Sequence, residues 1–338
     1  MDDDDPFGSY GLSKFHLKHK PACDQFFSAS RTRLSDYSFA NTYIWRDSIH
    51  LRWRVLHDCL CVFANGDGGL TLLFPPIGQG DLRAAVGQAM DICEDYNRTV
   101  RFQGATRIEY VCQEALEEFS DRFSRHPMSG DYVYATPRMI DLDGGDLASK
   151  RQARNRFARR YQARTEPFGP RHASECLRLL RLWHQQHEDN SAAASTSVLI
   201  KRSKEELATS EVILQAKQLG LAGMVLYAAD QMVGFTFGEK LSQDTCSILV
   251  EKTDRNFTGS AQYIFSEFCR QYWADTAWCN VGDDWEIPSL AWTKDSYRPA
   301  FRLPKWTVRL VRGPTPAENQ PIPARAPLAA MQEVLAAK

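Results

Sequence analysis

The sequence lacks the signatures of several large protein classes. No apolar run approaches the ~20 residues that a membrane-spanning helix needs, and the acidic start Met1–Asp5 is the opposite of a cationic secretory signal. There is no Walker loop, no Ser-His-Asp nucleophile elbow and no HExxH motif. These absences argue against a membrane-spanning protein, a P-loop NTPase, an α/β-hydrolase and a zincin protease.

An excess of charge of one sign is also missing. The chain has 41 Lys and Arg against 42 Asp and Glu, which excludes a protein that coats nucleic acid with its whole surface. The nine cysteines form no C-x-x-C pair, and several lie in apolar runs such as "DCLCVF" and "SEFCRQYW". We therefore expect buried, reduced thiols in a cytoplasmic protein and no metal site.

The length of 338 residues suits two domains rather than one. Residues 1–10 are predicted to be a disordered acidic tail. Residues 312–338 are predicted to be a Pro/Ala-rich tail, because five prolines lie between Pro314 and Pro327 and no packed helix or strand accepts them. Between the tails we predict an N-terminal domain over 11–140 and a C-terminal domain over 141–311.

The first domain alternates strand and helix patterns. Residues 50–76 alternate in polarity around an Asn-Gly-Asp-Gly-Gly turn, which predicts antiparallel strands. Residues 81–98 show the apolar spacing of a helix. A strand is predicted in "RFQGATRIEYV" and a helix in "QEALEEFSDRF". These elements predict a mixed α/β domain.

The second domain has a clearer order of elements. Three strand-like segments, over 221–229, 231–240 and 245–254, lead into the loop "RNFTGSA", a helix and a fifth strand "AWCNVG". This order predicts a splayed sheet in which the N-terminus of the helix faces the gap and can receive a phosphate. It resembles the GNAT acyltransferase fold, with Arg255, Gly259, Ser260 and Ala261 at the pyrophosphate loop. One residue too many separates the arginine from the glycine.

Seven stretches together resemble one family, the soluble relatives of the phosphatidylglycerol lysyltransferase C-terminal domain. They are "LSDYSFANTYIWRDS", "PPIGQGD", "SGDYVYAT", "ASKRQARNRF", "VEKTDRNFTGSAQYIFSEF", "CNVGDDW" and "LAWTKDSYRPAF", in order over residues 12–310. The resemblance implies an α/β (α+β) fold of two tandem GNAT-like acyltransferase domains with mixed, mostly antiparallel sheets. The second domain would hold the better-preserved site.

The resemblance also implies an activity. Characterised members move an aminoacyl group from charged tRNA to a lipid head-group hydroxyl and carry a membrane domain that this sequence does not show. Related Fem-type transferases move amino acids from tRNA to cell-wall peptide amines. The implied donor is aminoacyl-tRNA, and no cofactor is expected to be tightly bound.

A basic segment, Ser149–Arg164, carries seven cations and no acid. On a helix, Ala153, Phe157 and Tyr161 would pack inward and the cations would spread over the exposed side. Arginine favours forked phosphate contacts, so the segment predicts binding of a polyanion: tRNA, anionic lipid head groups or the phosphates of coenzyme A. A solvated helix face, or pairing with acids of the first domain, are the alternatives. The predicted phosphate-binding cations are Lys150, Arg151, Arg154, Arg159 and Arg160.

The stretch "NVGDDWEIPSLAWTKDSYRP" directly follows a predicted central strand, where polar side chains reach a cleft. Aminoacyl transfer needs a base for the acceptor and a cation for the developing oxyanion. The resemblance favours Lys294 and Asp283, since "K-x-x-[FY]" after this strand is a family feature. Alternatively, both aspartates cap a turn and Lys294 pairs with one of them. The candidates are Asp283 or Asp284 as base, Lys294 or Arg298 as cation, and Tyr297 or Ser296 as proton donor.

Glu251, at the end of the third strand of this domain, is a further candidate acid, and a salt bridge with Lys252 or Arg255 is its alternative role. These residues together predict an aminoacyltransferase acting on a small amine or hydroxyl compound, or on a lipid head group reached by peripheral contact with a membrane. An acyl-CoA-dependent N-acyltransferase and a non-catalytic binding module are the rival hypotheses.

Overall fold

The computed structural model describes residues 5–30, 32–119, 123–188 and 196–311 of the chain. Its strands form one continuous mixed sheet. The strands are β1 (Ser13–Lys14), β2 (Arg52–Leu56), β3 (Cys59–Ala64), β4 (Thr71–Leu72), β5 (Ile77–Gly78), β6 (Arg107–Cys112), β7 (Phe123–Ala135), β8 (Arg164–Pro167), β9 (Ala222–Ala228), β10 (Gln231–Lys240), β11 (Thr245–Thr253), β12 (Trp278–Asn280) and β13 (Phe301–Leu310).

Helices alternate with these strands along the chain. In the described residues none of them combines the length and the apolar content needed to cross a bilayer. The helices are α1 (Lys20–Ala29), α2 (Phe39–Trp45), α3 (Leu82–Thr99), α4 (Gln113–Leu116), α5 (Thr136–Asp141), α6 (Ala148–Tyr161), α7 (Ala173–Glu188), α8 (Thr196–Leu219), α9 (Ser260–Tyr272) and α10 (Pro288–Asp295).

The sheet has the order β1-β2-β3-β4-β6-β13-β7-β12-β11-β10-β9-β8, with β5 beside β3. Among the described strands only the pairs β4–β6 and β11–β12 are parallel. The prediction of a mixed, mostly antiparallel sheet is therefore confirmed. The antiparallel strands predicted around the Asn-Gly-Asp-Gly-Gly turn are β3 and β4. A further hairpin, of β2 and β3, turns through His57 and Asp58, both with positive φ, as a tight two-residue turn requires.

One predicted helix is much shorter than expected. The pattern in "QEALEEFSDRF" predicts a helix to Phe123, whereas α4 is a single turn that ends at Leu116. Phe123 instead begins the 13-residue strand β7, which pairs with β13 from end to end. Pairing with a strand from the far end of the chain overrides the local helical pattern, and no local signal shows that pairing.

The second half of the sheet is covered by helices on both faces. Alternate side chains of β9 and β10 pack against α7 and α8 on one face and against α6 and α9 on the other. Val225 and Phe235 belong to the first core, and Leu226 and Val233 belong to the second. Side chains alternate between the two faces of the sheet along each strand, so neighbouring residues of β11 also point to opposite faces.

The sheet also runs through the predicted domain boundary. Strand β7, placed by sequence in the first domain, pairs with β12 and β13 of the second. The boundaries 11–140 and 141–311 stay predictions. Within the segment expected to be an acidic tail, residues 5–10 are packed: Phe7 is buried and stacks on Tyr96 at 5.1 Å. Residues 1–4 and 312–338 lie outside the described residues.

All nine cysteines are buried and none forms a disulfide. The prediction of buried, reduced thiols is confirmed. Burial raises the pKa of the Cys23 and Cys176 thiols to about 12, so both stay protonated and behave as small apolar groups.

Candidate functional site

The two central strands of the second half separate and open a cleft. β11 and β12 pair in parallel only from Thr245–Ser247 to Trp278–Asn280. Beyond that point β11 and β12 do not pair in the described residues, and a bulge at Leu249, where Phe237 faces Val250 and Gly238 faces Ile248, interrupts the register of β11 with β10. The predicted splayed sheet is present, and its gap lies between the second half of β11 and the segment after β12. We call this gap the β11–β12 opening.

Glu251 lies on β11 at this opening. Burial raises the pKa of its carboxyl to about 8, against the opposing effect of the neighbouring Lys252 charge. The expected alternative, a salt bridge with Lys252 or Arg255, is wrong. Lys252 points to the opposite face and pairs with Glu205 at 2.7 Å, while Arg255 donates to the carbonyl oxygen of Gln186 at 3.4 Å.

Asp283 and Asp284 both act on the turn that follows β12. The Asp283 Oδ1 accepts the N–H of Trp285 at 3.0 Å, and the Asp284 Oδ1 accepts the N–H of Glu286 at 2.9 Å. Each carboxylate thus closes a local turn two residues on, as aspartate commonly does. The turn-capping alternative is present in the structure for both residues.

Asp284 is also held by two hydroxyl groups of β7. Ser129 Oγ donates to Oδ1 at 2.6 Å, and Tyr132 Oη donates to Oδ2 at 2.7 Å. Burial alone would raise the pKa of Asp284, but these hydrogen bonds outweigh it and hold the pKa below its ordinary value. A carboxylate with a low pKa and occupied oxygens suits holding the loop better than taking a proton.

Lys294 lies in the last turn of α10 and reaches back to the end of β12. Its Nζ donates to the carbonyl oxygen of Val281 at 2.6 Å and to that of Asp283. The expected pairing with an aspartate carboxylate is therefore wrong. Burial lowers the pKa of Lys294 to about 8, although the charge of Asp283 opposes this. The amine is held by backbone oxygens and titrates close to neutral pH.

Tyr297 forms the buried wall beside Lys294. Its ring packs against Tyr134 at 6.1 Å and Phe265 at 5.5 Å. Burial, followed by the charge of Glu251, raises its pKa, so its hydroxyl stays protonated. The Lys150 Nζ lies 4.6 Å from the centre of the Tyr297 ring. Lys150, a predicted phosphate ligand, is thus at the edge of the opening.

The other two candidates that follow α10, Ser296 and Arg298, are not part of this buried wall. Ser296 Oγ donates to the Thr293 carbonyl at 2.6 Å, which ends the turn of α10 and leaves no evident role as proton donor. Arg298 is exposed with a φ of 56°. Its charge contributes, after burial, to lowering the pKa of Lys150, which places the two cations near each other.

Helix α6 divides the predicted cations into two sets. Arg151 donates to the carbonyl oxygens of Leu142 and Gly144 at 2.6 and 3.1 Å, and Arg154 donates to that of Ile140 at 3.1 Å. Both cap the backbone at the end of α5, which is where unpaired carbonyl groups occur. The expectation that these two side chains spread over the exposed side is wrong.

The second set points into solvent. Arg159 and Arg160 are exposed, together with Arg156, which sequence reasoning did not select. Their spacing of i, i+3 and i+4 places them on one face of α6. Arg160 also lies over the ring of Tyr161 at 5.1 Å. This exposed face is a suitable surface for the phosphates of a polyanion.

The loop before α9 is packed more closely than a free phosphate loop. Gly259 has a φ of 96°, and a Cβ at this position would lie 2.3 Å from the carbonyl oxygen of Ala153 in α6. The Ser260 N–H donates to the Phe257 carbonyl at 3.0 Å, and Ser260 is buried. The glycine is therefore required for the contact between α6 and α9, and Ala261 follows in the first turn of α9.

A charged cluster beneath the opening was not predicted. The Nζ of Lys305, 1% exposed in β13, lies 2.9 Å from Asp36, 2.9 Å from Asp131 and 2.6 Å from Asp283. Burial opposes the charge of Lys305, but these carboxylates outweigh it and raise its pKa. The available signal was three aspartates inside family-like stretches: Asp36 in "LSDYSFANTYIWRDS", Asp131 in "SGDYVYAT" and Asp283 in "CNVGDDW". Lys305 lies outside these stretches.

Solved structures that share this fold include the following two. A conserved protein of unknown function from Bacteroides thetaiotaomicron is 25% identical, covers 89% of this chain and 99% of its own, and has a TM-score of 0.78. L-PGS from Bacillus licheniformis is 12% identical, covers 87% of this chain and 92% of its own, and has a TM-score of 0.61. These likenesses confirm the predicted α/β fold of GNAT-like halves.

Sequence comparison gives the family. An uncharacterized protein of Mycoplasmoides gallisepticum is 27% identical over 188 residues, which are 55% of this chain and 58% of the length of that protein. The family model described as "Phosphatidylglycerol lysyltransferase, C-terminal" matches residues 27–309. The match includes both sides of the β11–β12 opening and helix α6. The chain therefore belongs to the phosphatidylglycerol lysyltransferase C-terminal family.

Proposed function

We propose that this chain moves an aminoacyl group from aminoacyl-tRNA to an amine or hydroxyl acceptor. The observation that carries the proposal is the β11–β12 opening, with Glu251 on β11 and Lys294 held at the end of β12. Burial moves the pKa of each group to about 8. Groups that titrate near the operating pH are suited to proton transfer and to charge stabilisation. Membership of the family supports a transferase acting on acyl groups.

Glu251 is the general base in this proposal. The acceptor N–H or O–H gives its proton to the Glu251 carboxylate as the nucleophile attacks the ester carbonyl. When the tetrahedral intermediate collapses, the carbon–oxygen bond to the terminal ribose breaks. The protonated Glu251 then returns the proton to the ribose oxygen, so the carboxylate is regenerated.

Lys294 stabilises the oxyanion of that intermediate. Two of its three N–H donors are used by the carbonyl oxygens of Val281 and Asp283, which fix the position of the nitrogen. The third donor is available to the developing negative charge. Asp283 and Asp284 serve as positioning residues, because their carboxylates hold the turn that supplies one of these carbonyl groups.

The exposed arginines of α6 are proposed to bind the phosphates of the donor. Arg156, Arg159 and Arg160 share one face, and the same helix carries Lys150 at the edge of the opening. The exposed arginines of this helix can hold the RNA backbone of the donor. The esterified end of the donor can then enter the opening beside Lys150. A small amine, a small hydroxyl compound or a lipid head group is the proposed acceptor.

Donor binding tests this proposal. We would measure the affinity of the protein for bulk charged tRNA and for acetyl-CoA at two salt concentrations, with wild type and with Arg156, Arg159 and Arg160 changed together to Ala. The expected result is salt-sensitive tRNA binding whose salt slope falls by roughly one unit for each phosphate that the variant no longer binds. Arg151→Ala and Arg154→Ala are unsuitable here, because those side chains cap α5.

The rival activities predict different outcomes. Binding of acetyl-CoA with no affinity for tRNA would overturn the proposed donor and favour the acyl-CoA-dependent N-acyltransferase. Binding of charged tRNA that wild type never converts to a transfer product would favour the binding module. In that case Glu251→Gln and Lys294→Met would change nothing measurable.

A further inference from the structure

Trp292 is exposed beside the candidate site, and the proposed chemistry does not use it. It is 71% exposed, more than any other large apolar side chain in the described residues. An indole buries a large apolar area when it packs, so leaving it in water gives up stabilisation that the fold could have had. The side chain is therefore better suited to an external partner than to the core.

The position of Trp292 is well fixed relative to the opening. It lies in α10, two residues before Lys294. The Tyr134 Oη donates to the Lys294 carbonyl at 2.8 Å, and the Lys294 Nζ donates to Val281 at 2.6 Å. Both contacts tie the end of α10 to the strands that line the opening. The helix that carries the indole is therefore held in place, with Lys294 turned inward and Trp292 on a different, exposed side of α10.

One cation lies over the ring, and a second lies near that cation. The Lys150 Nζ lies 5.9 Å from the centre of the Trp292 ring and 4.6 Å from that of Tyr297. A cation over one face of an indole is attracted by the ring and leaves the opposite face open for a flat aromatic group. Arg298 lies close enough to lower the pKa of Lys150, after burial. An open aromatic face beside two cations suits a nucleotide, which joins a flat base to an anionic backbone.

We propose that Trp292 is the stacking platform for the terminal adenine base of the donor. This inference rests on the proposed function, because the donor there is an aminoacyl ester on the terminal adenosine of tRNA. Coenzyme A, the rival donor, carries the same base. Stacking on Trp292 would hold the adenine outside the opening and direct the ester toward Lys294.

A lipid surface is the competing partner for an exposed tryptophan. Entry into the interface requires a broad apolar face around the indole. The residues next to Trp292 in α10 include the exposed polar Ser289 and Thr293. The other exposed large aliphatic side chains of the described residues lie on other elements: Val55, Val100, Ile200, Leu207 and Leu214. The surroundings of the indole favour the nucleotide.

The test uses pairs of probes in which one member carries the adenine and the other does not, and the members of the RNA pair differ only in the base. One pair is an RNA hairpin that ends in CCA and the same hairpin with an abasic ribose in place of the last adenosine. The second pair is coenzyme A and 4′-phosphopantetheine, which lacks the adenine nucleotide. Dissociation constants are measured for wild type, Trp292→Ala, Trp292→Phe and the matched control Leu207→Ala, which removes an exposed side chain from α8.

The expected result is specific for the base. Trp292→Ala weakens binding of the intact hairpin by about 5- to 100-fold, leaves the abasic hairpin unchanged, and Trp292→Phe retains most of the affinity. Leu207→Ala changes neither. Base-dependent loss with coenzyme A only would support the platform and overturn the tRNA donor.

Four results would overturn the platform. An equal loss on the intact and abasic probes would show a contact that is not stacking. An unchanged affinity in Trp292→Ala, with wild type binding RNA, would remove the platform while the proposed function stands. Wild type that binds neither RNA nor coenzyme A would remove both. A loss confined to vesicles of anionic phospholipid would instead assign Trp292 to a membrane surface.

Discussion

Glu251 and Lys294 reach similar pKa values from opposite directions. Burial raises the pKa of the Glu251 carboxyl and lowers the pKa of the Lys294 amine, in both cases to about 8. The same low-polarity surroundings disfavour the charged form of either group. Each of these groups can therefore change its protonation state near neutral pH, as proton transfer requires.

Replacing Glu251 with Gln should abolish proton transfer without unfolding the chain. The amide has nearly the same shape but cannot accept the proton of the acceptor. We expect the rate of transfer to fall by about 10²- to 10⁴-fold, the usual contribution of a general base. Single-turnover transfer from charged tRNA, together with a thermal melt, measures both properties.

A matched control exists on the neighbouring strand. Glu239 of β10 is a second carboxyl, and burial raises its pKa to about 7. Its carboxylate accepts a hydrogen bond from the Ser38 hydroxyl, with an oxygen–oxygen distance of 2.5 Å. This contact lies away from the opening. Glu239→Gln should leave transfer nearly unchanged. Equal losses in the two variants would contradict a base at Glu251.

The pH dependence should have two limbs. Below about pH 8 the rate falls because Glu251 is protonated, and above about pH 8 it falls because Lys294 loses the charge that holds the oxyanion. Measured as kcat/KM, the profile should be bell-shaped. Lys294→Arg should keep the acid limb and move the alkaline limb upward. A flat profile between about pH 6.5 and 9.5 would contradict these assignments.

At the scale of elements, the contact between α6 and α9 depends on one glycine. Gly259 has a φ of 96°, and a Cβ there would lie 2.3 Å from the Ala153 carbonyl oxygen. Gly259→Ala should lower the free energy of unfolding by about 2 to 4 kcal/mol, because it adds backbone strain and a clash that the helices must move to relieve. Chemical denaturation measures the change.

The control for this substitution is Gly87→Ala in the exposed part of α3. A Cβ at Gly87 has no heavy atom within 4 Å. That variant should gain about 0.5 to 1 kcal/mol, since Ala is the better helix former. If both substitutions had the same small effect, the close packing of α6 on α9 would be contradicted.

Sequence patterns predicted elements better than they predicted contacts. The order β9, β10, β11, α9 and β12 follows from local alternation and helical spacing, and it is confirmed. The pattern also placed the basic helix α6 correctly. It could not show that Arg151 and Arg154 turn back to cap α5, because backbone carbonyl groups without a partner have no sequence signature.

At the scale of the whole molecule, distant stretches meet at Lys305. Asp36 comes from before α2, Asp131 from β7, Asp283 from after β12 and Lys305 from β13. Each is a charged residue in or beside an otherwise apolar segment. The sequence shows each such residue but does not show that the four lie together in the fold. Only the insertion of β13 between β6 and β7 brings them together. The cluster was therefore missed although most of its residues lie in family-like stretches.

Lys305→Met should destabilise the protein in a pH-dependent way. The change leaves buried carboxylates without their cation, which costs about 3 to 5 kcal/mol. Burial already raises the pKa of Asp36 to about 7 against the charge of Lys305, and without that cation the pKa of Asp36 should rise further above its unfolded value. Carboxyls with raised pKa values lose stability as pH increases. The loss should thus be larger at pH 8 than at pH 5 in chemical denaturation.

Lys240 supplies the comparison for this variant. It forms an exposed pair with Asp275 at 2.5 Å, with side chains 40% and 66% exposed. Lys240→Met should change stability little at either pH, because exposed pairs are screened by water and salt. A Lys305→Met variant with the same loss at pH 5 and pH 8 would contradict the assigned charge balance of the cluster.

The most direct measurement of the proposed function is single-turnover transfer. Protein in excess is mixed with bulk tRNA carrying labelled amino acids, in the presence of phosphatidylglycerol vesicles and of a set of soluble amines and hydroxyl compounds. We predict that wild type moves label from tRNA to one class of acceptor and that Glu251→Gln and Lys294→Met do not. Label that stays on tRNA with every acceptor, while acetyl-CoA is consumed, would contradict the aminoacyl-tRNA donor.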